Sequence, residues 1–181
     1  MDEKIKISAT LWLTPSEPGD KHNLVQYLND PVVYKNTLRI PFPYTEADAE
    51  QWLKQARESR EEHGRTHKWS LRHTEFGLIG GIGAFLQTGV EGHLDEIGYW
   101  LGAPFREQGI MTEVVRVYTD WLFETRPALA RIEAKVHTDN PASARVLEKA
   151  GFEREGIARK YAIKKGELLD VIVYAKIRPG L

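Results

Sequence analysis

Residues 94–125, LDEIGYWLGAPFREQGIMTEVVRVYTDWLFET, decide how this chain is read. They divide into a strand at Leu94–Leu101, a short turn, and a helix over about Thr112–Thr125. Val114, Val117, Tyr118, Trp121 and Leu122 recur at the three-and-four spacing of one helical face. The turn, Arg106-Glu107-Gln108-Gly109-Ile110-Met111, is polar up to its glycine. A helix start carries backbone N–H groups without internal partners, and the macrodipole adds partial positive charge there. Gly109 has no side chain to hold an anion away from that backbone, and Arg106 offers a cation at the rim. The spacing predicts a phosphate or pyrophosphate cradle at residues 106–112, with an ordinary strand-to-helix turn as the plain alternative.

Downstream, Arg131–Val136 alternates Ile132, Ala134 and Val136 with Arg131, Glu133 and Lys135, as a half-exposed strand does. Asn140 suits an N-cap and Pro141 a first helical position. That helix closes with Gly151 in the left-handed C′ place and Phe152 against Leu147. Two final strands, about Arg154–Lys164 and Glu167–Ile177, meet at a Lys-Gly-Glu turn. Upstream, the alternation of Ile5, Ile7, Ala9, Leu11 and Leu13 predicts a first strand, broken by Pro15, Pro18 and Gly19. A helix over Lys21–Leu28 ends at Asn29-Asp30-Pro31. After the aromatic loop Ile40-Pro-Phe-Pro-Tyr44, Thr45 caps a helix to about Gly64 with Ala49, Trp52, Leu53 and Ala56 inward. Lys68–His73 and Gly77–Phe85 read as a hairpin.

Composition narrows the class. With 181 residues, 41% hydrophobic and 28% charged, the chain is expected to be one domain over 1–181 with a sizeable core. A formal charge of −1 gives no general pull toward nucleic acid or anionic membrane. No cysteine exists, so disulfides, thiolate metal ligands and a cysteine nucleophile are excluded. The histidines show no metal-ligand spacing, so no metal is expected. The five tryptophans are expected in the core. MDEKIKISATLWL carries charges through any would-be signal core, and no apolar run approaches spanning length; a cytoplasmic location is expected. The glycines of 77–83 lie in a strand pattern with no helix directly after, so the dinucleotide reading is rejected; no P-loop lysine motif occurs.

Arg106-x-x-Gly109 entering a helix resembles the acyl-CoA loop of the GNAT superfamily of N-acetyltransferases, Gln/Arg-x-x-Gly-x-Gly/Ala. Asn140-Pro-Ala-Ser143-Ala-Arg-Val-Leu147-Glu-Lys-Ala-Gly151-Phe152 resembles the second half of that family's core, about thirty residues on. The subgroup it resembles is the RimJ/RimL-like ribosomal-protein N-terminal acetyltransferases, firmly over about 93–152 and more loosely over 40–175. The resemblance implies an α/β fold: a mixed, mostly antiparallel sheet flanked by helices, whose central parallel strands, 94–101 and 131–136, splay to admit an acyl-pantetheine arm.

It also implies an acetyl-CoA-dependent enzyme transferring directly to a primary amine, with no covalent enzyme intermediate. The implied acceptor is a protein N-terminal α-amino group; polyamines, aminoglycosides and amino acids are alternatives. The implied cofactor-binding residues are Leu101, Arg106, Gln108, Gly109, Ile110, Met111, Thr112, Asn140 and Ser143. Met111 departs from the family's Gly/Ala, and a core-pointing side chain would leave the backbone donors open. Leu147 stands where many members carry an acidic tyrosine, so Ser143 is implied as the residue assisting the thiolate. Glu96, before Ile97-Gly98-Tyr99, is the candidate base; an ordered water, Asp95, His93, Glu133 or His73 are the substitutes. Partial burial is expected to raise its pKa. Phe42 and Tyr44 either line the acceptor site or cover the core edge. A non-catalytic acyl-CoA sensor and a nucleotide-binding α/β protein are the rival classes, and a monomer and a homodimer both fit.

Overall fold

The computed structural model describes residues 3–87 and 89–180. Eight strands belong to one mixed sheet, and the described ladders are antiparallel except where β5 (Leu94–Leu101) runs parallel to β6 (Arg131–His137). With the interspersed helices, this is the α/β architecture the sequence implies. The chain forms two compact units, one of residues up to Gly83 with Tyr99–Gln108, the other of Ala84–Gly98 with the chain from Gly109 onward.

In the first unit the N-terminal alternation is a hairpin and not one strand. β1 (Ile5–Lys6) pairs with β2 (Leu11–Pro15), Ile5 opposite Leu13, and Ile7 N–H closes the turn on the Leu11 carbonyl at 3.0 Å. A reversal that keeps Ile5, Ile7, Leu11 and Leu13 buried preserves the period of two, so alternation alone conceals it. α1 (Lys21–Leu28) forms as expected, but Pro31 also opens a second short helix, α2 (Pro31–Asn36). Asp30 caps it, Oδ1 accepting from Val32 N–H at 2.7 Å. Proline has no N–H to leave unsatisfied at a first helical position, so the residue that stops one helix starts the next.

α3 (Glu46–His63) starts in a capping box: Thr45 Oγ1 accepts from Asp48 N–H, and the Asp48 carboxylate accepts from Thr45 N–H at 2.7 Å. Its Ala49, Trp52 and Leu53 pack with Leu24, Leu28, Val33, Tyr44 and Leu78. β3 (Lys68–His73) and β4 (Gly77–Leu86) form the expected hairpin. A Cβ at Gly80 or Gly81 would lie 2.7 Å from the Trp100 carbonyl or 2.8 Å from its indole nitrogen, so these glycines serve close strand packing. Of the tryptophans only Trp69 is fully buried; Trp12, Trp52, Trp100 and Trp121 are half-buried, and Lys4 Nζ sits 3.7 Å over the Trp12 ring. Asp20, buried on the α1 side, accepts from Arg72 at 2.6 and 2.9 Å and from Ser70 at 3.1 Å.

In the second unit α4 (Ile110–Thr125) starts one half-turn earlier than the periodicity suggests. Its buried side is Met111, Val114, Val115, Tyr118, Thr119, Leu122 and Phe123, while Val117 and Trp121 are only half-buried. The helix is apolar over more than one stripe, so the repeat could be read one residue out of phase. Fully buried Asp95 pairs with Arg126 at its C-cap. β6 pairs with β8 (Glu167–Ile177) along seven positions and with β5 along three, Leu94↔Arg131 to Glu96↔Glu133. Past that point β6 continues on β8 without a β5 register partner among the described residues. α5 (Pro141–Lys149) ends as expected: Gly151 is left-handed at φ 88°, and Phe152 N–H donates to the Leu147 carbonyl at 3.0 Å. β7 (Glu153–Lys164) completes the unit against β8.

Candidate active site

The start of α4 fits an anion. Gly109 caps it in the left-handed region, φ 77°, and a Cβ built there meets nothing within 4 Å. The first intrahelical bond runs from Glu113 N–H to the Gly109 carbonyl at 3.2 Å, so the N–H groups of Ile110, Met111 and Thr112 precede it and want an outside acceptor. Met111, the residue that departs from the small one of the resembled loop, is buried at 6% exposure with Val114 and Val115. Its bulk is thus used in packing.

The residues leading to that turn belong to the first unit. Arg106 is not the free cation the sequence suggests: Nη2 pairs with Asp30 at 2.6 Å and Nε donates to the Leu101 carbonyl at 3.0 Å. Its charge is balanced locally, and Asp30 thereby ties the turn to the cap of α2. Gln108 Nε2 donates to the Pro104 carbonyl at 2.9 Å, and Glu107 is left-handed at φ 63°. Phe42 and Tyr44, grouped by the sequence, separate. Phe42 is exposed, its ring 5.6 Å from Tyr34, whereas Tyr44 lies in the core at 4% exposure. The Tyr44 hydroxyl has no hydrogen-bond partner among the described residues, and burial, then the Asp48 charge, pushes its pKa up to about 12. Tyr44 is a core residue, and Phe42 is the one of the pair that meets solvent.

In the second unit Asn140 is the cap of α5, its Oδ1 accepting from Ser143 N–H at 3.2 Å. Ser143 is half-buried in the first turn, while Leu147 is fully buried and far from any acid role. Glu96 is partly buried, as expected, but it is not an isolated carboxylate: Oε2 accepts from Lys135 Nζ. Lys135 also faces Glu133 at 3.5 Å, and Arg131 joins Glu133 at 2.8 Å. Three of the substitutes for the base are committed elsewhere: Asp95 to Arg126, Glu133 to two cations, and His73 Nδ1 to Glu75 N–H at 3.1 Å, while His93 is exposed. Lys135 and Asp30 are the partners that reading the sequence overlooked. Strand alternation placed Lys135 on the polar face with Glu133, but which strand lay opposite was not written locally. Among the described residues no acidic or histidine cluster could hold a metal, and no helix is long and apolar enough to cross a membrane.

Similarity to known proteins accompanies the helix start after a strand and the short parallel register between β5 and β6. The Acetyltransferase (GNAT) domain family matches residues 10–153. The uncharacterized N-acetyltransferase p20 of Bacillus licheniformis is 32% identical over 168 residues, covering 93% of both chains. The L-amino acid N-acetyltransferase AaaT of Escherichia coli is 26% identical over 180 residues, 90% of this chain and 95% of that one. Among solved structures, the ribosomal-protein-S5-alanine acetyltransferase of Vibrio fischeri superimposes with a TM-score of 0.84 at 25% identity, over 99% of this chain and 98% of that one. This chain belongs to the GNAT acetyltransferase family and is an acetyl-CoA-dependent N-acetyltransferase.

Proposed function

We propose that this enzyme, acting as a single catalytic domain, acetylates a protein N-terminal α-amino group by direct transfer within a ternary complex. The observation that carries the reading is the start of α4, where the left-handed Gly109 leaves the space over its Cα open and Met111 is turned to the core. There the N–H groups of residues 109–112 hold the donor's pyrophosphate, with Gln108 before them. In the first unit, Arg106 pins the Leu101 carbonyl and Asp30, and Leu101 and Arg106 are further candidates for holding the donor.

The acceptor arrives as an ammonium and first gives one proton to Glu96. Its nitrogen lone pair then forms the C–N bond at the acetyl carbon, and the C–S bond breaks as the tetrahedral intermediate collapses. The second nitrogen proton leaves to solvent, and the departing thiolate takes one, assisted by the Ser143 hydroxyl. Asn140 fixes Ser143 through the α5 cap. Exposed Phe42, beside Tyr34, suits a side chain of a peptide acceptor. The likeness to an S5-alanine acetyltransferase supports a peptide; full-length similarity to an L-amino acid acetyltransferase supports a second reading, a free amino acid.

Thiol release from acetyl-CoA, followed with peptides bearing free or blocked N-termini and with free amino acids, separates the two. Turnover confined to free-N-terminal peptides is expected; turnover confined to amino acids selects the second reading. Glu96→Gln is expected to slow the reaction about 100-fold near neutral pH with unchanged acetyl-CoA binding. Wild-type kinetics in that variant would remove Glu96 from the base role.

A further inference from the structure

Lys135 has no part in the chemistry so far, yet the second unit converges on it. It lies on β6 two residues past Glu133, just where the register with β5 stops at Glu96↔Glu133. Its ammonium bonds the Glu96 carboxylate, faces the Glu133 carboxylate at 3.5 Å, and sits 5.3 Å from the Tyr161 ring centroid. Tyr161 reaches it from an irregular part of β7. Between Ala158↔Val171 and Ala162↔Leu169, β7 advances four residues while β8 advances two, and Lys160 in that bulge is left-handed at φ 53°. Bulges of this kind re-aim a side chain. Glu133 in turn is held by Arg131, which Glu155 of β7 engages at 2.7 Å. The lysine side chain is only 18% exposed. Burial there pulls its pKa down, but the Glu96 bond and charge and the Tyr161 contact outweigh it, leaving the pKa above the ordinary lysine value.

We infer that Lys135 is a positioning residue for the acetyl transfer: it aims the Glu96 carboxylate at the incoming ammonium, resting on Glu133 while Glu96 carries the proton. This rests on the base role proposed for Glu96. The charged groups around Glu96 are Lys135, Glu133 and Arg131 on β6 and Glu155 and Tyr161 on β7; Asp95, next along β5, is turned to Arg126 instead. With two carboxylates sharing one ammonium, proton uptake by one leaves the cation paired with the other. A lone Lys–Glu pair would instead lose its partner at that step. Aiming is needed because a base works only within hydrogen-bond reach of the proton it takes.

The test compares Lys135→Met, Lys135→Gln and Lys135→Arg, each alone and with Glu96→Gln, by kcat, KM for acetyl-CoA, pH profile and melting temperature. Losing the lysine leaves the carboxylate unaimed and lowers kcat about tenfold. KM for acetyl-CoA stays unchanged, and Lys135→Arg restores the rate. Lys135→Gln keeps a donor without charge and carries the same test should the Met variant fold poorly. In the Glu96→Gln background the Lys135 substitutions have no further effect on rate. An equal slowing in both backgrounds, or a wild-type kcat in Lys135→Met and Lys135→Gln, overturns the role of Lys135 and leaves the base assignment standing. A Glu96→Gln enzyme with a wild-type profile overturns the base assignment itself.

Discussion

Gly109→Val separates two consequences of one backbone position. The first is conformational: at φ 77° a side chain meets the left-handed penalty, about 1 kcal/mol for alanine and more for a β-branched residue. Nothing within 4 Å of the built Cβ adds a clash, so strain is the whole cost to the free protein. In a chain of this length about 1 kcal/mol lowers the melting temperature by roughly 2–4 °C. The second consequence concerns the ligand. A valine side chain occupies the open space through which a phosphate oxygen would reach the N–H groups of residues 110–112. Each charge-assisted bond lost is about 1.5–3 kcal/mol, or roughly tenfold to a hundredfold in Kd. Thermal unfolding of the free protein reads the first effect, and calorimetric titration with coenzyme A reads the second. Gly109→Ala is the graded control, with a smaller strain and a smaller block. A Gly109→Val protein that melts lower but binds coenzyme A with wild-type affinity would refute the cradle. One that melts at the wild-type temperature would refute the left-handed cap.

Two stability predictions rest on the first unit. Asp20→Ala leaves the Arg72 guanidinium, 21% exposed, with Thr14, the Pro15 carbonyl and Glu17 at 3.6 Å among the described residues, and should cost about 3 kcal/mol in urea unfolding; a loss under about 1 kcal/mol would show the cluster to be well solvated. Tyr44 is held neutral in the fold with a pKa near 12 against 10.0 for the free side chain. The stability this group permits is therefore intact below pH 10 and is lost as pH rises from 10 toward 12. Tyr44→Phe should remove that alkaline loss and, by deleting an unpartnered hydroxyl, leave neutral-pH stability equal or higher by up to about 1 kcal/mol. A marked drop at neutral pH would mean the hydroxyl has a partner after all.

Much of the local structure was written in local chemistry. Asn140-Pro141 and Gly151-Phe152 bound α5 because caps and C′ glycines act within a few residues. The same holds for Thr45 with Asp48 at the head of α3. The hairpin hidden in residues 5–15 and the double use of Pro31 escaped because each signal fits two structures equally well. The face of α4 slipped by a residue for the same reason: Val117 and Trp121 are as apolar as the side chains that win the core.

By itself, then, the sequence determined the order of strands and helices from α3 onward, the glycine before α4, and the two spaced motifs that mark an acetyltransferase. Short-range forces settle these, since caps, turns and hydrophobic period depend on neighbours along the chain. Only the tertiary structure decided that Met111 faces the core, that Arg106 is held by Asp30, that Tyr44 is buried while Phe42 is not, and that Glu96 shares Lys135 with Glu133. Each of these turns on which side chains from distant stretches meet. The Lys135 bond to Glu96, for instance, spans 39 residues, and the register that creates it is set by the packing of whole strands.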